Sequence, residues 1–287
     1  MYRAHDLDTL LAGFLAKWWT GKKLIYDFHE LFTEQYKEGI KTKLWHLFYS
    51  GLERLLIKRT DFRLTVCRSL GEWVTERYRI NGIVTIRNVP PLQEWSSSPA
   101  RDDYEQVILY HGGYYSDRGL EQLIESARYL QSGTIVLRGY GSLECHLRAL
   151  VKDLRVEKRV VFASPVPVED LVRAASVADV GVIPYIPFCL NNRFCLPNKL
   201  FEYMMAGLAV VGSNLPELRS IILDQQIGDV FDPQDPRDIA RAINAVLRDA
   251  PQLNEMKRKA RQAALEQYNW EIEGKTLLNI YEMVTQS

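Results

Sequence analysis

Short apolar runs alternate with segments of helical period along almost the whole chain, and this alternation restricts the fold more than any other feature. Such runs are too short for helices and too uniformly apolar for strands with one wet face, so they read as parallel strands covered by helices on both sides. Candidate strands are Leu24 to Phe28, Phe62 to Val66, Ile83 to Ile86, Val107 to His111, Thr134 to Arg138, Val160 to Ala163, Asp179 to Pro184 and Leu208 to Val211. Between them, Leu120, Leu123, Ile124, Ala127 and Leu130 share one helical face, and Asp235 before Pro236 caps a helix burying Ile239, Ile243, Val246 and Leu247. Helical patterns over Pro251–Gln267 and Trp270–Met283 close the chain. The fold class is α/β, with a doubly wound arrangement of parallel strands.

Two domains follow from the length of 287 residues, since single cores rarely grow past about 250. The stretch PPLQEWSSSPARDD after Val89, rich in Pro, Ser and charge, reads as the linker. It separates a first domain over 1–90 from a second over 104–268, with a terminal helix over 269–287. The first has about three strands and opens almost directly on a helix at Asp8, so it reads as a domain without its opening strands. Asp6 and Asp8 imitate a metal-binding DxD, but Asp8 before Thr9 is better explained as an N-cap, and no metal is assigned.

Composition bears on partners. Thirty-six basic residues balance thirty-six acidic ones, so no bulk field favours nucleic acid, and any phosphate site must be local. Cys67, Cys145, Cys189 and Cys195 form neither a CxxC pair nor a metal-ligand spacing, and read as packing residues. No run approaches the roughly 18 apolar residues of a membrane span, which leads us to expect a cytoplasmic protein. The segment Lys41 to Arg59 sets Leu44, Phe48, Leu52, Leu55 and Leu56 on one side among basic residues. It admits peripheral contact with a membrane; a domain helix is the preferred reading, because Glu53 interrupts the charge and the apolar arc suits a core.

Three stretches point to a phosphate. In LPNKLFEYMMAGLAVVGSNLPELRSII, Pro197 and Asn198 start a helix whose free N–H groups and dipole favour an anion, Lys199 adds a charge, and Glu202 lies one turn on at ribose reach. Lys199 and Glu202 also have the spacing of an ordinary i,i+3 surface pair. In YHGGYYSDRGLEQLI, Gly112 and Gly113 end a strand and allow close approach of a ligand, while Arg118 offers a forked pair of donors. In LRGYGSLECHL, Gly139 and Gly141 open like a dinucleotide fingerprint, but Glu144 occupies the third glycine position. With no acidic residue closing the next strand, this disfavours a nicotinamide dehydrogenase. His29 follows the strand LIYDF and Asn88 another strand end, where ligands bind in open sheets.

These residues together resemble the retaining glycosyltransferases that include the sucrose and phosphatidylinositol-mannoside synthesising enzymes, a family of glycosyltransferase 4-like, group 1 type. The resemblance extends over essentially the whole chain and is carried by NNRFCLPNKLFEYMMAGLAVVGSNLPELRSII and HDLDTLLAGFLAKWWTGKKLIYDFHELFTE. It implies a GT-B fold, a donor held by the second domain, an acceptor by the first, and a last helix crossing back near Trp270. Arg118 resembles the basic residue on the donor diphosphate, Lys199 its helper, Glu202 the second of a glutamate pair, and His29 the histidine beside the transferred sugar. Phe194 stands where the first glutamate is usual, which turns attention to Asn191, Asn192 and Arg193 for sugar recognition. Gly113 replaces a second basic residue, Ser164 a glycine beside the nucleobase, and Ala209 a proline.

The function this implies is transfer of a sugar from a nucleoside-diphosphate sugar to an acceptor hydroxyl, with retention and without metal or other cofactor. The acceptor is a glycan, a lipid-linked or a small molecule, with location at the inner membrane face left open. A nucleotide-sugar epimerase of the same fold and a catalytically incomplete nucleotide-sugar-binding fragment are the alternatives. Base, sugar and oligomeric state are not legible.

Overall fold

The computed structural model describes residues 1–31, 40–93 and 106–286, with the side chains of 40–46 and 286 outside the description. Most of the expected linker, over 94–105, lies outside it as well. The chain divides into two compact units. The first holds Met1–Asn88, Cys189–Leu196 and the chain from Glu271 on; the second holds Val89–Phe188 and Pro197–Trp270.

The first unit is built on a parallel sheet in the order β1 (Tyr2–His5), β2 (Leu24–Phe28), β3 (Phe62–Thr65) and β4 (Ile83–Thr85). Helices α1 (Asp6–Thr20), α2 (Ile40–Leu56) and α3 (Arg68–Tyr78) make the crossovers. Every residue of β2 is buried, which is why LIYDF is so legible, whereas β1 is an edge strand with only Ala4 buried, so YRAH leaves no apolar run to read. Helix α1 therefore starts at Asp6 after a strand, not at Asp8 without one, and the unit has four strands where about three were expected. Asp8 is correspondingly not an N-cap: His5 holds that position without a side-chain cap, and Asp8 lies in the first turn, where its charge suits the helix dipole.

The segment Cys189–Leu196, which sequence order assigns to the second domain, packs with the first unit. Leu190, Phe194 and Leu196 join its apolar cluster around Leu24, Tyr26 and Phe28, and Cys67 Sγ donates to the Phe194 carbonyl at 3.2 Å.

The second unit carries a six-stranded parallel sheet, β10 (Gly228–Phe231), β9 (Ala209–Ser213), β8 (Val180–Ile183), β5 (Val107–His111), β6 (Thr134–Arg138) and β7 (Val160–Ala163), in that spatial order. The chain runs outward through β5, β6 and β7, then returns to β8 and runs the other way. The reversal opens a crevice at the carboxyl ends of β5 and β8, the place where doubly wound sheets bind ligands. Strand β10 was not foreseen, because Gly228 and Asp229 open an edge strand with only two buried residues.

The sheet is covered by α4 (Leu120–Ser126), α5 (Glu144–Asp153), α6 (Leu171–Ala175), α8 (Asn198–Ala206), α9 (Pro216–Asp224), α10 (Pro236–Leu247) and α11 (Ala250–Glu266), whereas α7 (Leu190–Arg193) belongs to the first unit and α12 (Trp270–Gln286) ends the described chain. Helix α10 forms as its sequence requires: Asp235 accepts from the Arg237 N–H at 2.8 Å, Pro236 occupies the first turn, and Ile239, Ile243, Val246 and Leu247 are buried. Each such aliphatic contributes about 1.5–3 kcal/mol when fully buried, so the stripe fixes α10 on the sheet.

Candidate functional site

Helix α8 begins at Asn198, with Pro197 at its N-cap position, and ends at Gly207, whose φ of 75° allows the left-handed turn into β9. Its N-cap makes no side-chain hydrogen bond, so the first turn of the helix keeps backbone N–H groups that no capping side chain takes up. Lys199 is buried, and its Nζ lies 3.9 Å from the centroid of the Tyr110 ring and 5.0 Å from that of Tyr185. Arg118, at the end of the loop after β5, stacks its guanidinium 4.3 Å from the same Tyr185 ring and pairs with Asp117. Two cations distant in sequence thus lean on one aromatic side chain, where the ring quadrupole favours both.

The glycines knit the loops together. A Cβ on Gly112 would lie 2.8 Å from Lys199 Nζ, so the ammonium stands directly over that glycine. A Cβ on Gly139, where φ is 153°, would collide with the Gly112 carbonyl oxygen, and one on Gly141 would come within 2.5 Å of the Tyr114 oxygen. The Gly112–Gly113 and Gly139–Gly141 turns are therefore in backbone contact, with Tyr110 donating to the Gly113 carbonyl at 2.8 Å. A cavity of about 270 Å³ opens beside them, bounded by Gly112, Gly113, Tyr115, Arg138, Tyr140 and Pro165. Burial pushes the Tyr110 phenol well above its ordinary pKa, so it stays a neutral donor.

Glu202, one turn into α8, meets a residue that sequence reasoning passed over. His111 is buried at the end of β5, its Nε2 is 2.7 Å from Glu202 Oε2, and its ring packs 4.6 Å from that of Tyr203. Burial lowers the His111 pKa, with the Glu202 hydrogen bond pulling the other way. The neutral ring then places its one N–H on Nε2, toward the carboxylate, and Nδ1 is a buried acceptor without a hydrogen-bond partner among the described residues. The stabilisation tied to neutral His111 is full above its ordinary 6.5 and is lost as pH falls through the lower folded value. His111→Gln keeps a donor to Glu202 without titrating. Its melting temperature should fall less than that of the unaltered chain between about pH 7 and pH 5, and parallel curves would contradict the assignment.

The first unit has a second polar centre, around Asp27 of β2. This buried carboxylate, through Oδ2, takes Arg3 Nη2 at 2.5 Å, His29 Nε2 at 3.0 Å and His5 Nδ1 at 3.3 Å. The His29 backbone N–H donates to Asp6 at 2.8 Å. The hydrogen bond to Asp27 raises the His29 pKa above its ordinary value, and His29 and Arg3 hold the Asp27 carboxyl below its own despite burial. Side-chain atoms of His5, Asp27 and His29 lie within 4.8 Å of one another, a spacing open to a metal, but the ligating oxygen is already taken by the Arg3 guanidinium. Asp27 and His29 are two apart at a strand end, hence on one face; that D-x-H spacing was the available signal.

Arg118, Lys199, Glu202, Asn198, Gly112, Gly113 and Gly141 all belong to the second unit, and His29 to the first. Of the residues considered for sugar recognition, Asn191 Oδ1 accepts from the Leu31 N–H at 3.0 Å and Asn192 is buried beside Cys189, both within the first unit.

The sequence profile described as glycosyl transferases group 1 matches residues 105–249. An uncharacterised glycosyltransferase of Methanocaldococcus jannaschii is 29% identical over 189 residues, covering 64% of this chain and 46% of that protein. Among solved structures, sucrose-phosphate synthase from Thermosynechococcus elongatus aligns with a TM-score of 0.82 at 18% identity, covering 99% of this chain and 73% of that one. Anabaena HepE in complex with UDP aligns with a TM-score of 0.80 at 14% identity, covering 98% and 78%. These likenesses are of fold: two Rossmann-like α/β units, the GT-B plan. The chain spans about half the length of the first curated relatives it matches, 46% and 56%.

Proposed function

This chain belongs to the glycosyl transferases group 1 family, and from that premise we propose that it moves a sugar from a nucleoside-diphosphate donor to an acceptor hydroxyl, with retention and without a metal. The observation that carries the reading is the meeting of Arg118 and Lys199 on Tyr185, at the switch point of the sheet and beside the start of α8. In transfer, the bond between the anomeric carbon and the diphosphate oxygen breaks with its electron pair going to the oxygen. The acceptor oxygen forms the new bond, and its proton leaves on the departing phosphate. Charge therefore grows on the diphosphate, and preorganised cations and helix N–H groups are suited to stabilise it. The cavity beside Gly112 and Gly139 suits the nucleoside, and Glu202, oriented by His111, suits the ribose hydroxyls. His29, held by Asp27 with its pKa raised, suits hydrogen-bond donation to the sugar more than proton abstraction. A lipid-linked acceptor with peripheral membrane contact is part of this reading.

Arg118→Ala and Glu202→Ala should each lower donor turnover at least about tenfold, while NMR of the product should reveal the donor's anomeric configuration. Unchanged kinetics in both variants would remove the assignment, and an inverted product would remove retention. Because the chain spans about half of its relatives, a nucleotide-sugar-binding part of a larger enzyme is the second reading. Calorimetric binding of UDP or of nucleotide sugars without transfer to any acceptor would favour it.

A further inference from the structure

Two helices of the first unit turn apolar side chains outward. On α1, Leu11, Leu15 and Trp18 recur at i, i+4 and i+7, with Trp19 alongside; Trp18 is 77% and Trp19 85% exposed. On α2, Leu47, Phe48 and Leu55 are exposed along one face, while Leu56 is buried and Tyr49 and Leu52 pack on the cluster beneath. The apolar arc of this segment, expected to serve a core alone, is thus shared between a core side and an outer side.

Glu53, expected to interrupt the basic face of α2, points inward. Its carboxyl accepts from Tyr26 Oη at 2.8 Å and Tyr78 Oη at 2.6 Å. The outer face keeps Arg54 and Lys58, which with Arg59, Leu55 and Gly51 line a hollow of about 510 Å³. The two helices are joined at this end, where Lys17 Nζ donates to the Arg59 carbonyl at 2.8 Å and pairs with Asp61. Trp18 and Trp19 follow Lys17 immediately, so the indoles and the basic hollow occupy the same end of the unit. In a chain with no net charge this concentration is local.

We propose that this α1–α2 face docks on an anionic lipid bilayer, with Trp18, Trp19, Leu15 and Phe48 entering the interfacial layer and Arg54, Lys58 and Arg59 meeting lipid phosphates. Indole rings favour the headgroup boundary, and basic side chains near such a surface are attracted to its anionic phosphates. The inference rests on the membrane-contact part of the reading above and is independent of the donor chemistry.

The test is co-sedimentation of the full chain with phosphatidylcholine vesicles, with and without phosphatidylglycerol, alongside analytical ultracentrifugation without lipid. The chain should partition onto the anionic vesicles and not the neutral ones. Trp18→Ser with Trp19→Ser, and Arg54→Glu with Lys58→Glu, should each weaken partitioning about tenfold. UDP binding, measured by calorimetry, should be unchanged, since none of these residues touches the donor site; its absence in every variant would sink the donor reading alone. No sedimentation with anionic vesicles, equal sedimentation with neutral ones, or a dimer that the Trp variant dissociates would overturn the docking proposal.

Discussion

Lys199→Met is expected to lower turnover at saturating donor about a hundredfold, the loss usual when one preorganised donor to a developing charge is removed. Methionine keeps an unbranched stem and removes the ammonium that lies over Gly112 and beside the Tyr110 and Tyr185 rings. The loss should fall on kcat more than on KM, because charge on the diphosphate oxygen is greatest in the transition state. A kcat within about threefold of the unaltered chain, at unchanged melting temperature, would mean that Lys199 is a buried structural cation and not part of the leaving-group site.

Gly139→Ala should destabilise the second unit by about 3 kcal/mol and abolish detectable UDP binding. The added methyl would meet the Gly112 backbone carbonyl, which cannot swing aside as a side-chain tip would. Relief requires the Gly112–Gly113 turn to move, and with it the floor under Lys199. Gly207→Ala is the matched control in the same unit. Its φ of 75° is also left-handed, but the nearest atom to the added methyl is Arg261 Cβ at 3.8 Å, an ordinary contact. It should cost only about 1 kcal/mol and leave UDP binding intact. Equal losses by thermal melting in the two variants, with UDP still bound by Gly139→Ala, would show that the turn-on-turn contact does not shape the site.

Sequence was informative where a residue type answers a local demand. Pro197 before Asn198 marked the start of α8, and Asp235 before Pro236 marked that of α10, because caps are decided within a few residues. The interior strands β2, β5 and β8 stood out as apolar runs, and so did the edge strands β4 and β7, whose IVT and VVFA stay largely apolar; the edge strands β1 and β10 did not, because YRAH and GDVF break the run with polar residues and glycine. Glycines 112, 139 and 141 were recognisable as turn residues, but their mutual contact was not.

What pairs across the fold depends on strand order and register, which no local pattern encodes. The sequence by itself determined the α/β class, the main strands and the phosphate-suited helix start. Tertiary structure decided that Tyr185 gathers Arg118 and Lys199, that His111 holds Glu202, that Asp27 ties Arg3 and His5 to His29, that Phe194 packs with the first unit, and that Glu53 turns inward. Periodicity records which side of an element is covered; the identity of the covering atoms is fixed only when parallel strands, each joined through a crossover, settle side by side.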